Sequence, residues 1–234
     1  MKYIGHDGKE IVERILPPIE SKKRIKDLKR IAVTDRVVRE CIDLAYGFFT
    51  PLQGFMGKAD VESVCKGMTL INGTIWPIPI IFDIDSEEIK RNGIKEKDTI
   101  LLTYHGNALA ILEIEEIFKY DKIDLEKAVL GTTDLKHPGV KMYNTLKDTF
   151  ISGKVTLVNE LKFNPPFDKF WYTPKQLRQI FAEKGWERVV AHQTRNVPHT
   201  GHEWLMKGAW FSANGDLPVE KLKTGILVSC IIGP

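Results

Sequence analysis

The densest chemistry in this 234-residue sequence lies in His192-Gln193-Thr194-Arg195-Asn196-Val197-Pro198-His199-Thr200-Gly201-His202-Glu203. Arg195 offers a planar, permanently charged fork of donors suited to a tetrahedral oxyanion, and Gln193, Thr194 and Asn196 place neutral donors beside it. Together they can replace an anion's hydration shell. His199 and His202 are three apart, so on a helix they share a face and can donate to non-bridging oxygens as charge builds during displacement at phosphorus. Gly201, between them, is read as leaving room for a ligand to approach the backbone. Paired histidines also ligate metals, but a usable site needs three or four ligands and the spacing supplies no third; no metal site is assigned.

These residues need a strand to end before them and a helix to begin within them. Arg188 to Ala191 reads as a compact apolar strand, followed by a polar loop and a helix from His199 or Thr200 to about Ser212. Pro198 holds the loop's exit, and the helix start turns free N–H groups and its positive dipole end toward negative charge. A further strand is expected from Gly225 to Ile232. Ahead of this, Thr173 and Pro174 open a helix with Gln176 completing a capping box, Leu177, Ile180 and Phe181 on one face, and Gly185 as the stop. Helix, strand, loop, helix, strand is the opening of an α/β sheet, which binds ligands beyond the carboxyl ends of its parallel strands.

The preceding part of the chain has a different texture. Between Ile71 and Phe118 short strands are expected at Thr74 to Asp83, Thr99 to Tyr104 and Ala108 to Ile117, with turns at Ile71-Asn72-Gly73-Thr74 and Tyr104-His105-Gly106-Asn107-Ala108, the second a hairpin. Pro77 and Pro79 cannot donate to a ladder, which confines the first strand to an edge or bulge and suits closure of a small barrel. Val37 to Ala45 and Ala59 to Lys66 read as short helices around a rigid aromatic loop, residues 46–56, that serves packing. Phe163-Asn164-Pro165-Pro166-Phe167 favours an extended boundary, so the chain divides into residues 1–165 and 166–234.

Composition excludes several classes. Lys plus Arg number 34 against 31 acidic residues, a balance of +3 that is too small to imply a nucleic-acid partner without a local cluster. The run Ser21 to Arg30 is basic and reads as a solvated linker or helix face, with an anion-attracting surface as the alternative. Cys41, Cys65 and Cys230 form no CxxC pair, which suits a reducing, cytoplasmic setting. The start, Met1 to Glu10, lacks the apolar core of a signal peptide and no run reaches about 18 apolar residues, so neither export nor a membrane is expected.

The run Gln193-Thr194-Arg195-Asn196, with Pro198, His199, His202 and Glu203, resembles the signature loop of ATP sulfurylases. Its HxGH-like portion also occurs in other nucleotidyltransferases; Gln-Thr-Arg-Asn narrows the resemblance. Residues 47–56, Trp76 to Ile80, Ala110 to Ile114 and Gly131 to Val140 are similar to segments of the same family. The resemblance implies a PUA-like β-barrel domain followed by the start of a Rossmann-like α/β domain, and conversion of ATP and sulfate to adenosine 5'-phosphosulfate and pyrophosphate by in-line attack on the α-phosphate. It further implies that Gln193 and Arg195 contact sulfate, that Thr194 and Asn196 position sulfate and the α-phosphate, and that His199 and His202 stabilise the transition state and the departing pyrophosphate. Mg2+ would accompany ATP, and the complete protein would be a homo-oligomer. Val197 stands where the family pattern has proline. The family's later motifs, a Gly-Arg-Asp-His segment among them, have no counterpart before Pro234, so the chain is read as a fragment, a truncated form, or one piece of a split enzyme whose other piece supplies the missing half. The alternatives are another HxGH nucleotidyltransferase and an RNA-binding PUA-like module.

Overall fold

A computed structural model describes residues 4–215 and 217–231. In chain order the elements are α1 (Pro18–Arg24), β1 (Lys29–Ala32), α2 (Asp35–Tyr46), β2 (Gly54–Phe55), α3 (Lys58–Gly67), β3 (Phe82–Ile84), α4 (Ser86–Asn92), β4 (Thr99–Tyr104), β5 (Asn107–Phe118), α5 (Lys122–Leu130), α6 (Pro138–Asn144), β6 (Thr149–Leu157), α7 (Pro174–Glu183), β7 (Arg188–Thr194), α8 (Thr200–Asn214) and β8 (Thr224–Cys230). They form two compact units, Met1–Pro174 and Lys175–Pro234. The boundary follows Trp171, whose ring lies 4.7 Å from Phe163, 5.8 Å from Phe48 and 6.0 Å from Tyr46, centroid to centroid. Aromatic packing thus ties the segment beyond Pro166 to the first unit.

The first unit is built on a mixed sheet ordered β1-β4-β5-β6-β2, with β3 also paired to β6. β1 runs parallel to β4 and the other pairs are antiparallel. The β4–β5 hairpin turns through His105 and Gly106, both at positive φ (47° and 78°), the geometry that matches the twist of the flanking strands. The aromatic loop feeds β2 against β6, and a Cβ on Gly54 would stand 1.8 Å from the Gly153 carbonyl oxygen, so only glycine lets these backbones meet. Ile100, Leu102, Leu112, Ile151 and Val155 of the sheet pack with Val37, Cys41 and Leu44 of α2 in the main core. Leu101 and Ile111 point to the opposite face and join Leu16 and Val158.

The strand expected over Thr74 to Asp83 is confined to Phe82–Ile84. The stretch before it runs as a strap held at isolated points, with the Trp76 N–H donating to the Met68 carbonyl and the Met56 N–H to the Ile80 carbonyl, because two prolines deny it a continuous ladder. Helix α4 interrupts the region read as all strand. Its seven residues, Ser86–Asn92, are too short to stand out by periodicity.

Arg36 clamps α2 to the sheet. One guanidinium nitrogen donates to the Glu40 carboxylate (2.7 and 2.8 Å) and to the Ile81 carbonyl (2.9 Å), the other pairs with Asp83, and Asp83 accepts the Lys147 N–H (2.8 Å). Burial pushes the Glu40 carboxyl up to about 7, although the charge and hydrogen bonds of Arg36 pull it down. The folded value lies above the ordinary 4.5, so the unfolded chain ionises first, and this contribution to stability is lost as pH rises from about 4.5 through about 7. Asp43, lifted to about 6 by burial, adds to the same slope. Glu40→Gln is expected to make the first unit's urea midpoint less dependent on pH between about 5 and 8, the difference amounting to at most about 3 kcal/mol. An unchanged pH slope would show that Glu40 is ionised throughout.

Candidate functional site

The second unit begins with α7, closed at Gly185, where the Trp186 N–H returns to the Phe181 carbonyl and the two rings stack at 5.7 Å. Strands β7 and β8 pair in parallel from Arg188 with Thr224 to Thr194 with Cys230. The ladder corrects one expectation: β7 does not stop at Ala191 but carries His192, Gln193 and Thr194 as strand residues. Polar side chains hid this in the sequence, whereas β8 supplies a partner for each. The second strand covers Thr224–Cys230, and Ile232, assigned to it from the sequence, lies outside the described residues. Helix α8 is pinned to the start of β8 by polar bonds: the Trp210 indole N–H donates to the Thr224 carbonyl (2.9 Å), and the Thr224 hydroxyl donates to the buried Asn214 side chain (2.7 Å).

Thr194, at the end of β7, is buried and shapes the turn that follows. Its hydroxyl accepts the Asn196 N–H (3.0 Å) and lies 3.3 Å from the Asn196 carbonyl. Gln193, Arg195 and Asn196 are exposed beside it. Among the described residues no carboxylate pairs with Arg195, so its donor fork faces solvent. The strand end thus holds a fixed hydroxyl inside and three polar side chains outside.

His199 is the N-cap of α8 and His202 stands in its first turn. The Gly201 N–H donates to Nδ1 of His199 (3.0 Å), and the His199 N–H donates to Nδ1 of His202 (3.2 Å). This reciprocal capping satisfies two of the N–H groups that a helix start leaves free. It also decides the rings' chemistry: a nitrogen that accepts a hydrogen bond carries no proton, so each neutral imidazole bears its proton on Nε2. The rings lie 4.1 Å apart. Desolvation, then His199, then His192 hold His202 below its ordinary range, which keeps that ring uncharged near neutrality.

Gly201 has a different part from the one read in the sequence. A Cβ there would stand 2.8 Å from Cε1 and 3.1 Å from Nδ1 of His199, so the missing side chain makes room for the capping ring. His192, unassigned in the sequence because it precedes the signature run, is a third member of the cluster: its ring meets His202 edge-on at 5.3 Å. Among the described residues no group of three or more His, Cys, Asp or Glu side chains converges as a metal site.

A parallel strand pair whose carboxyl end meets a polar turn and a helix capped by two imidazoles, preceded by a mixed-sheet domain, is the arrangement of an α/β protein with a β-rich N-terminal domain. Residues 4–160 match the family model of the PUA-like domain and residues 168–234 that of ATP-sulfurylase. The chain belongs to the PUA-like family, and its residues 168–234 are similar to the ATP-sulfurylase family. It is 38% identical to the sulfate adenylyltransferase of Archaeoglobus fulgidus over 97% of this chain and 54% of that one, and 37% identical to that of Ignicoccus hospitalis over 90% and 54%. The chain therefore spans about half the length of the curated relatives it matches. The hexameric APS kinase from Thiobacillus denitrificans shares the fold, with a TM-score of 0.68 at 20% identity over 99% of this chain and 48% of that one.

Gly201→Ala is expected to push the His199 ring off the helix start and cost about 1 kcal/mol of the second unit's stability. Faster hydrogen exchange at the residue 201 amide together with a moved His199 resonance would report it; an unmoved ring would show that the cap tolerates a methyl group.

Proposed function

We propose that the complete protein is a sulfate adenylyltransferase in the cytoplasm, joining sulfate to the α-phosphate of ATP, and that this chain supplies the sulfate and phosphate side of its active site. The observation that carries the reading is the junction of β7 and α8, where Arg195, Gln193 and Asn196 are free to bind an anion beside two imidazoles whose Nε2–H groups are fixed as donors. Similarity of residues 168–234 to the ATP-sulfurylase family supports sulfate as the anion and adenylyl transfer as the reaction.

In this reading a sulfate oxygen attacks the α-phosphorus in line. The new S–O–P bridge forms as the bond from the α-phosphorus to the bridging oxygen breaks, and that oxygen leaves with pyrophosphate. Sulfate has no proton to lose at neutral pH, so a general base is unnecessary. Acceleration comes from orientation and from donors placed where charge develops. Arg195 and Gln193 hold sulfate, Asn196 orients the α-phosphate, and His199 and His202 donate to the oxygens of the transition state and of pyrophosphate. Thr194 acts from within, because its hydroxyl closes the turn that presents Arg195 and Asn196.

Magnesium favours hard oxygen ligands, carboxylates above all. The Gln, Thr, Arg, Asn and His set does not fit it, so we place magnesium on the nucleotide's own phosphates and assign no step to it here. The complete protein is read as a homo-oligomer.

The test is sulfate-dependent release of pyrophosphate from Mg-ATP by the protein with its complete catalytic domain. Arg195→Ala is expected to lower the rate by about 10²–10³-fold, the loss typical of a single transition-state donor. Activity within a few-fold of the parent would overturn the assignment, and release driven by a phosphorylated metabolite in place of sulfate would identify a different nucleotidyltransferase.

A further inference from the structure

The capping bonds join His199, Gly201 and His202 to one another. They fix the two imidazoles within the helix start, but not relative to the strand end that carries Gln193, Thr194 and Arg195. The side-chain hydrogen bonds that tie α8 to the strands lie at its far end, where Trp210 and Asn214 meet Thr224 and the Arg188 guanidinium donates to the Ala213 carbonyl (3.3 Å). Among the described residues no side-chain hydrogen bond links His199 or His202 to β7. The edge-on contact of the His192 ring with the His202 ring, at 5.3 Å, does span that gap. Two features suit His192 to hold its neighbour by shape. Its backbone sits in the parallel ladder opposite Val228, so the ring stands on a rigid element. Its Nε2 is shut off from solvent with no hydrogen-bond partner among the described residues, so this polar atom forfeits its hydration and gains no bond in return. What remains useful is a flat ring against His202.

We propose that His192 is a positioning residue: its ring is the backstop against which the His202 imidazole rests, and the contact sets the spacing between the imidazoles of α8 and the polar turn after β7. The inference rests on the reading of His202 as a donor to the transition state. A flat apolar ring would serve as well, because no hydrogen bond is lost with the imidazole. A methyl group would not. His202 would then settle into the space left by the ring, and a displacement of about 1 Å can cost on the order of 10²-fold in rate.

The test is sulfate-dependent release of pyrophosphate from Mg-ATP by the protein with its complete catalytic domain, together with the ring-nitrogen resonances of His202. His192→Ala is expected to lower kcat about ten- to hundredfold while the KM for sulfate stays within about twofold, the mark of an interaction realised in the transition state. In the same variant the Nε2–H pattern of His202 is expected to give way to a mixture of tautomers. The conservative His192→Phe is expected to restore both the pattern and the rate, the latter to within about threefold of the parent. An equal loss in the two variants would overturn the positioning role, because the imidazole itself would then be acting. His202→Ala, measured alongside, separates this inference from the reading beneath it. If that variant keeps the parent's rate, His202 is no donor and both fall; if it loses rate while His192→Ala does not, only the positioning role falls. Should His192→Ala fail to fold, His192→Phe decides alone: a rate near the parent's supports the role, and one more than about tenfold lower overturns it.

Discussion

The N-terminal cap of α8 is the interaction on which the site depends. A helix start must satisfy N–H groups that have no partner within the helix, and here imidazoles do so where a hydroxyl or carboxylate is usual. The capping geometry sets ring orientation and tautomer together. Backbone N–H groups occupy both Nδ1 atoms, so the protons reside on both Nε2 atoms without a second layer of side chains to hold them. Gly201 belongs to the same constraint because the His199 ring occupies the space a Cβ would take. The helix cap and the orientation of the two Nε2–H groups therefore depend on the same two side chains.

The two units are stabilised in different ways. Every fully buried apolar side chain among the described residues lies between Leu16 and Val158, where helices and a mixed sheet enclose a core on both faces of β4 and β5. The second unit has a two-stranded sheet and keeps Trp204, Leu205, Phe211, Val228 and Ile231 exposed. It relies on the parallel ladder, the Phe181–Trp186 stack and the polar pins of α8. A parallel sheet normally has both faces covered, and a pair of strands bearing few helices cannot achieve that. A small unit with little apolar burial has little margin against chain entropy.

Much of this architecture was legible before the structure. Thr99–Tyr104 is a strand with the expected bounds and the hairpin after it turns at His105-Gly106, because a short apolar run ending at a turn that tolerates positive φ acts locally. Helices α2, α3, α7 and α8 lie where the sequence places helices, and α7 has the one-sided apolar spacing and the Gly185 stop that mark a helix locally. The errors arose where neighbours outvote local pattern. Of the strand expected over Thr74 to Asp83 only Phe82 and Asp83 pair with β6, in a strand that runs on to Ile84, and pairing with β8 extended β7 through His192, Gln193 and Thr194.

The sequence by itself determined the chemical inventory, the strand-turn-helix order that brings it together, and the closeness of His199 to His202, since three-residue spacing at a helix start enforces that contact. Tertiary structure alone decided which atoms are available. It buried the Thr194 hydroxyl in a turn, left Arg195 facing solvent, turned both Nδ1 atoms onto the backbone and set His192 against His202. Those outcomes depend on which groups approach one another across β7, β8 and α8. Residue types list donors and acceptors, but only the packed arrangement settles which of them remain unpaired.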